Sequence, residues 1–227
     1  LIEGNNSVVN RSIAPTQSNT TLSIRVYDTD KNQVLSPGSA GTAKVYVTTN
    51  ASDTNSFTID ASGSLTGSGW YNDTFPSISA CTYGIGPLKW RVDFNGTYYK
   101  ATNSSDTYGS DFNLNMTTHK LQVQIIGPIN QTYRRDKDPI PLYANVTDDC
   151  GLVPGATIQF EALPTASWTS CQGSSVTDWN NGTYNCTLNS AFDANLQYYD
   201  LDMNATKQYY NNSDTDTESN SFALVTN

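Results

Sequence analysis

The sequence predicts an all-β protein built as two tandem antiparallel β-sandwich domains, residues 1–118 and 119–227. Three observations predict it. Short apolar runs alternate with polar residues at period two, with turn residues between them, giving about seven strands in each half and no helical period. The chain also repeats itself. Trp70-Tyr71-Asn72-Asp73-Thr74-Phe75 shares its frame with Trp179-Asn180-Asn181-Gly182-Thr183-Tyr184, 109 residues later, and Asp93-Phe94-Asn95-Gly96-Thr97 recurs at the same offset as Asp202-Met203-Asn204-Ala205-Thr206. Two motifs at one separation indicate an internal duplication. Lastly, 227 residues suit two domains, each able to bury a core without metals.

In the first half, residues 7–15 read as a first strand ending at Pro15. Leu22 to Asp28 alternates so that Leu22, Ile24 and Val26 face inward and Ser23, Arg25 and Tyr27 outward. Asp28 to Asn32 forms a turn, and Pro37-Gly38 precedes the strand Ala43–Val47. Phe57 and Ile59 mark another short strand. The Trp70 motif reads as a turn followed by a strand over Phe75–Ser79. After Cys81, Leu88, Trp90, Val92 and Phe94 form the inward face of a long strand, and Tyr108 to Met116 closes the half.

The joint is Thr117-Thr118-His119, too short for a loose tether. In the second half, Leu121–Pro128 corresponds to the first strand, Ile140–Asp148 to Leu22–Asp28, and Pro154–Phe160 to Pro37–Val45. Tyr199, Leu201 and Met203 correspond to Trp90, Val92 and Phe94, and Phe222–Val225 ends the chain.

Pro128, Pro139-Ile140-Pro141-Leu142-Tyr143-Ala144-Asn145-Val146-Thr147-Asp148, Pro154-Gly155-Ala156-Thr157-Ile158 and the Gly182-Thr183-Tyr184 hairpin together resemble the immunoglobulin-like repeats of bacterial and archaeal cell-surface proteins. The resemblance covers the second half well and the first, with longer loops, less closely. It implies two tandem immunoglobulin-like β-sandwiches. That family shares fold and location rather than an activity, so it implies no chemistry. The antibody-type Cys…Trp…Cys arrangement is absent.

Composition points to the compartment. A net charge of −9 makes nucleic acid an improbable partner. No apolar run approaches the roughly 18 residues that cross a bilayer as a helix. The opening Leu1-Ile2-Glu3-Gly4-Asn5 shows no signal-peptide pattern and reads as a processed chain. Fourteen Asn-x-Ser/Thr acceptors occur, at Asn5, Asn10, Asn19, Asn50, Asn72, Asn95, Asn103, Asn115, Asn130, Asn145, Asn181, Asn185, Asn204 and Asn211. Chance placement of the Ser and Thr content would give roughly 5 or 6. The excess predicts an extracellular or cell-surface glycoprotein carrying covalent N-linked glycans and no other cofactor. Asn95, Asn145, Asn185 and Asn204 fall at outward strand positions, and Asn72, Asn103, Asn181 and Asn211 in turns or loops.

Catalytic and metal-binding residues are not assigned. His119, the single histidine, reads as a polar linker residue, and four cysteines without Cys-x₂-Cys spacing argue against zinc. Asp28-x-Asp30-x-Asn32 opens like a calcium loop but has Gln33 where glycine and Ser39 where glutamate belong. It reads as a solvated turn, as do Asp148-Asp149 and Asp214-Thr215-Asp216. The pairs Tyr98-Tyr99 and Tyr209-Tyr210 offer either carbohydrate stacking or hairpin packing beneath glycans.

The function these features imply is a non-enzymatic structural glycoprotein of a microbial, archaeal surface: a subunit of a filament or surface layer that assembles with copies of itself. The alternative is an adhesin or carbohydrate-binding ectodomain, whose partners are other surface glycoproteins or carbohydrate; a third is an accessory module of a secreted enzyme. Strand addition at the apolar termini is the expected assembly mode, through Leu1, Ile2, Phe222, Leu224 and Val225. In an oxidising compartment the four cysteines make two disulfides. Strand direction favours Cys81–Cys150 across the joint, making a rigid rod, and Cys171–Cys186 within domain two. A bridge confined to domain two, from Cys150 to Cys171 or Cys186, remains open, with Cys81 free or bonded to a neighbouring subunit.

Overall fold

A computed structural model describes residues 2–11, 18–35, 41–50, 55–118, 121–164, 171, 175–191, 195–210 and 214–226, with only the backbone at Asp214. Leu1, the Pro37-Gly38 turn, His119 and Asn211 lie outside the described residues. The chain divides into two compact units, Leu1–His119 and Lys120–Asn227.

The first unit contains β1 (Ile2–Glu3), β2 (Ser7–Asn10), β3 (Thr20–Arg25), β4 (Tyr27–Asp28), β5 (Gln33–Val34), β6 (Gly41–Thr48), β7 (Phe57–Gly63) and β8 (Trp70–Phe75). After a single 3₁₀ turn at Ala80–Thr82 follow β9 (Gly86–Gly96), β10 (Tyr99–Asn103), helix α1 (Ser104–Tyr108) and β11 (Phe112–Thr117). One sheet has the order β1-β3-β8, and the facing sheet β2-β11-β9-β6-β7, with β10 beside β9 and a small β4-β5 hairpin apart. Period-two patterning explains β9. Leu88, Trp90, Val92 and Phe94 are all buried, against Ala43, Val45 and Val47 of β6 and Leu22 and Ile24 of β3. Trp90 meets Phe112 at 4.8 Å between ring centroids.

The second unit contains β12 (Gln122–Gly127), β13 (Gln131–Arg134), β14 (Pro139–Asp148), β15 (Gly151–Leu152) and β16 (Thr157–Leu163). It continues with β17 (Thr177–Asp178), β18 (Thr183–Asn189), β19 (Tyr198–Thr206) and β20 (Asp214–Val225). Its sheets run β12-β14-β18-β17, with β15 on β14, and β13-β20-β19-β16. Tyr199 stacks on Phe222 at 5.3 Å, and Leu201 and Met203 complete that side of the core. Both units share one device. The chain enters along one sheet, then crosses to pair in parallel with the last strand of the other: β2 with β11, and β13 with β20. The sandwiches are otherwise antiparallel.

Several local expectations are corrected. The described part of residues 7–15, β2, is not the counterpart of Leu121–Pro128; β1 is, since β1 lies antiparallel to β3 as β12 does to β14, while β2 corresponds to β13. The Trp70 motif is a strand, not a turn. Asn180 and Gly182 take positive φ, 57° and 80°, and a Cβ at Gly182 would lie 2.7 Å from Val153 N; Asn72 and Asp73 carry no such backbone and lie mid-strand. Phe75–Ser79 is not a strand, because β8 stops before Pro76, which cannot donate to a ladder, and Cys81 sits in the 3₁₀ turn instead. Ser23 alternates with the core residues Leu22 and Ile24, yet it is buried, as the short residue of a central strand flanked by Glu3 and Asn72. Tyr108 ends a helix where none was expected: Asn103 caps the amide of Asp106, and Gly109 closes the turn at φ 78°.

The C-terminal segment is not an edge. Phe222 and Leu224 are buried, and β20 is hydrogen-bonded on one side to β13 and on the other to β19. Strand addition along Phe222–Val225 would have to displace a neighbour already present. Ile2 does lie on an edge strand, half-buried against the core.

Candidate glycosylated surface

Of the thirteen described acceptor asparagines, none is buried. Asn5, Asn19, Asn50, Asn72, Asn95, Asn130 and Asn181 are exposed, and Asn10, Asn103, Asn115, Asn145, Asn185 and Asn204 half-buried. Strand alternation places them. Asn145 stands between buried Ala144 and Val146, Asn185 between Tyr184 and Cys186, Asn204 between Met203 and Ala205, and Asn95 follows buried Phe94. Asn72 is likewise an outward strand residue, between buried Tyr71 and Asp73, and Asn103 ends β10; neither sits in the loop expected of it. In a strand, positions i and i+2 share a face, so in Asn72-Asp73-Thr74 and Asn145-Val146-Thr147 the amide and its hydroxyl partner point the same way. All four main sheets carry at least one acceptor: Asn72, Asn95 and Asn115 in domain one, Asn145, Asn185 and Asn204 in domain two.

The densest patch lies on β14 and β18. Asn145 pairs across the ladder with Thr183, and Tyr143 with Asn185, so Asn145 and Asn185 are diagonal neighbours. Thr183 Oγ1 donates to Asn145 Oδ1 at 2.9 Å, the Thr183 amide to Asn181 Oδ1 at 3.0 Å, and the Trp179 indole Nε1 to Asn185 Oδ1 at 3.0 Å. Asn5 and Asn103 likewise accept through Oδ1, from the amides of Asn113 and Asp106. In each of these bonds the carboxamide oxygen is the anchored atom, and Nδ2 is the one a glycan would occupy.

The tyrosine pairs divide their work. Tyr99 packs on Phe94 and Tyr210 donates to Asp148 Oδ2 at 2.8 Å, whereas Tyr98 is 85% exposed in the turn before β10. The Asp28 turn uses its oxygens internally. Asp28 Oδ1 accepts from the amides of Asp30 and Lys31, and Asn32 Oδ1 from the Tyr27 hydroxyl. Among the described residues no helix is long and apolar enough to cross a membrane. Cys171 and Cys186 are bonded, 15 residues apart, inside the domain-two core, and no described cysteine is free.

One buried polar site was not anticipated. In β7 a bulge at Asp60 leaves Ile59 exposed and turns the Asp60 carboxylate inward. In β8 the phase that buries Tyr71 and Phe75 also buries Asp73. The two carboxyls meet between the edge strands of the two sheets. Asp60 accepts from the Tyr83 hydroxyl at 2.5 Å and from the Ser77 amide at 3.0 Å. Asp73 Oδ2 is buried and accepts no hydrogen bond. Burial, then the hydrogen bond and charge of Asp60, push the Asp73 carboxyl up to about 8, so Asp73 carries a proton at neutral pH. Burial and Asp60 also raise the Tyr83 hydroxyl, and burial and Asp73 that of Tyr71. The missed signal was the inward parity of Asp73, counted from Tyr71 and Phe75.

No protein-family model matches the sequence, and no curated protein matches it. Among solved structures it is similar to titin-A168169, at 10% identity over 99% of this chain and 98% of that one, with a TM-score of 0.52. It is similar to Rst D1-D2 to the same degree, at 10% identity over 99% of each chain, with a TM-score of 0.52. The chain is a tandem pair of immunoglobulin-like β-sandwiches. At such identity the likeness speaks for the fold alone.

Proposed function

We propose that this chain is a non-enzymatic structural glycoprotein of an archaeal cell surface, a repeating subunit of an extracellular filament or surface layer. The observation that carries this reading is the placement of the acceptors. Fourteen occur where roughly 5 or 6 are expected, and all thirteen that are described stand clear of the core on every main sheet. A glycan shell over the sheet faces leaves the ends and edge strands for contacts between copies. Since β20 is internal, the edges open to strand addition include β1, β8 and β12. Electron microscopy of native material tests the assembly: filaments or a two-dimensional lattice support it, and dispersed monomers refute it.

A second reading rests on Tyr98, whose 85% exposure suits stacking on a free saccharide. Glycan-array binding that is lost in Tyr98→Ala, by a protein that does not self-associate, would favour an adhesin.

A further inference from the structure

Trp179 is 60% exposed, unusual for the largest apolar side chain, at the Asn180–Gly182 turn. It is nevertheless held in place. Its amide donates to the Thr183 carbonyl at 3.1 Å, and its indole N–H to Asn185 Oδ1 at 3.0 Å. The indole edge is thus fixed against the carboxamide of a glycosylation acceptor while most of the ring meets solvent.

Amide geometry decides where a sugar on that carboxamide would go. A secondary amide is planar and trans, which puts the substituent on nitrogen on the same side as the oxygen. The anomeric carbon of a sugar on Asn185 Nδ2 therefore lies about 3 Å from Oδ1, the oxygen that holds the indole. The first pyranose ring therefore begins beside the oxygen that the indole engages. Pyranose rings present an apolar C–H face, and an exposed indole offers a matching surface together with a polar edge already engaged.

We infer that Trp179 is a stacking platform for the first pyranose of an N-linked glycan on Asn185, a sugar-binding surface whose ligand is attached to the same hairpin. This rests on the glycoprotein reading above. In the attachment step, Asn185 Nδ2 attacks C1 of a phosphate-activated oligosaccharide. The Nδ2–C1 bond forms, the C1–O bond to phosphate breaks, and the Nδ2 proton leaves to a base of the transferase. Ladder partners Tyr143 and Thr177 hold the Asn185 backbone on both sides, and the Cys186 bridge fixes the next residue. The platform and the acceptor are therefore preorganised by the same strand.

The test uses full-length protein from a glycosylating host of the source type, as wild type, Trp179→Ala, Trp179→Phe and Asn185→Gln. Nuclear Overhauser contacts between indole protons and the first sugar are expected in wild type. They should be lost in Trp179→Ala and Asn185→Gln and survive as ring contacts in Trp179→Phe. Glycopeptide mass spectrometry should find Asn185 occupied. An unmodified Asn185 beside occupied sequons elsewhere overturns the platform and leaves the glycoprotein reading standing, whereas a chain bare of glycans removes both. Glycan released from the native protein is also titrated into unglycosylated wild type. Binding that depends on Trp179 would mean a site for free saccharide and overturn the attached-glycan assignment; its absence, with the contacts present in glycosylated protein, supports it.

Discussion

Replacing Asp73 with asparagine should stabilise domain one at neutral pH and flatten its pH dependence. In the folded domain the Asp73 carboxyl is raised from 3.8 to about 8, first by burial and then by the hydrogen bond and charge of Asp60. For a group raised on folding, the linked stability is complete below the unfolded value and is lost as pH rises through the folded value. The window therefore runs from 3.8 to about 8. Within it, folding takes up one proton, and stability falls by about 1.4 kcal/mol per pH unit. At pH 7 this penalty amounts to about 4 kcal/mol, a large share of the stability of one domain. In Asp73→Asn the amide presents a permanent donor to Asp60, which already accepts from Tyr83 and Ser77, and takes up no proton. The assay is urea unfolding of both proteins between pH 4 and 9, in a background with Trp168 and Trp179 replaced by phenylalanine, so that emission comes from Trp70 and the buried Trp90 of domain one. The variant should match wild type near pH 4, exceed it by several kcal/mol at pH 8, and lack most of the slope between. A variant whose profile runs parallel to wild type, or which is weaker at every pH, refutes a protonated Asp73.

Phe222→Ala should destabilise domain two by about 3–5 kcal/mol, because the ring is fully buried against Tyr199; Val225→Ala, at the exposed end of β20, should cost little. Calorimetric midpoints decide, and a folded Phe222→Ala protein that merely fails to assemble would restore the edge-strand idea. Removing the Cys171–Cys186 bridge by a double serine substitution should cost about 3 kcal/mol for a loop of this length, read by denaturant titration; an unchanged midpoint refutes it. Non-reducing peptide mapping is expected to recover Cys81 with Cys150; a Cys81 cross-link between chains refutes that pairing.

What was legible in the sequence was whatever alternation controls. The inward set of β9 and the outward asparagines of β14, β18 and β19 follow from period two, since one buried face forces register. What was hidden depended on breaks in that period or on partners distant in sequence. A single bulge at Asp60 exchanged it with Ile59, and no local pattern announces a bulge without its partner strand. The Asn-Asp pair at 72–73 resembled the Asn-Gly turn, but only Gly182 stands where a Cβ would strike the neighbouring backbone. The terminal segment Phe222–Val225 looked like a free edge because the crossing that lays β13 beside β20 depends on two segments some ninety residues apart. Trp179 was conspicuous as a residue type; its bond to Asn185 was not, because a turn had first to bring the indole onto the next strand.

The intact mass of the native protein, together with glycopeptide mapping, decides whether the surface is glycan-coated. A mass several kilodaltons above the 24.8 kDa polypeptide is expected, with sugar on most acceptors, including Asn95, Asn145 and Asn204. A native mass equal to that of the bare chain would contradict it.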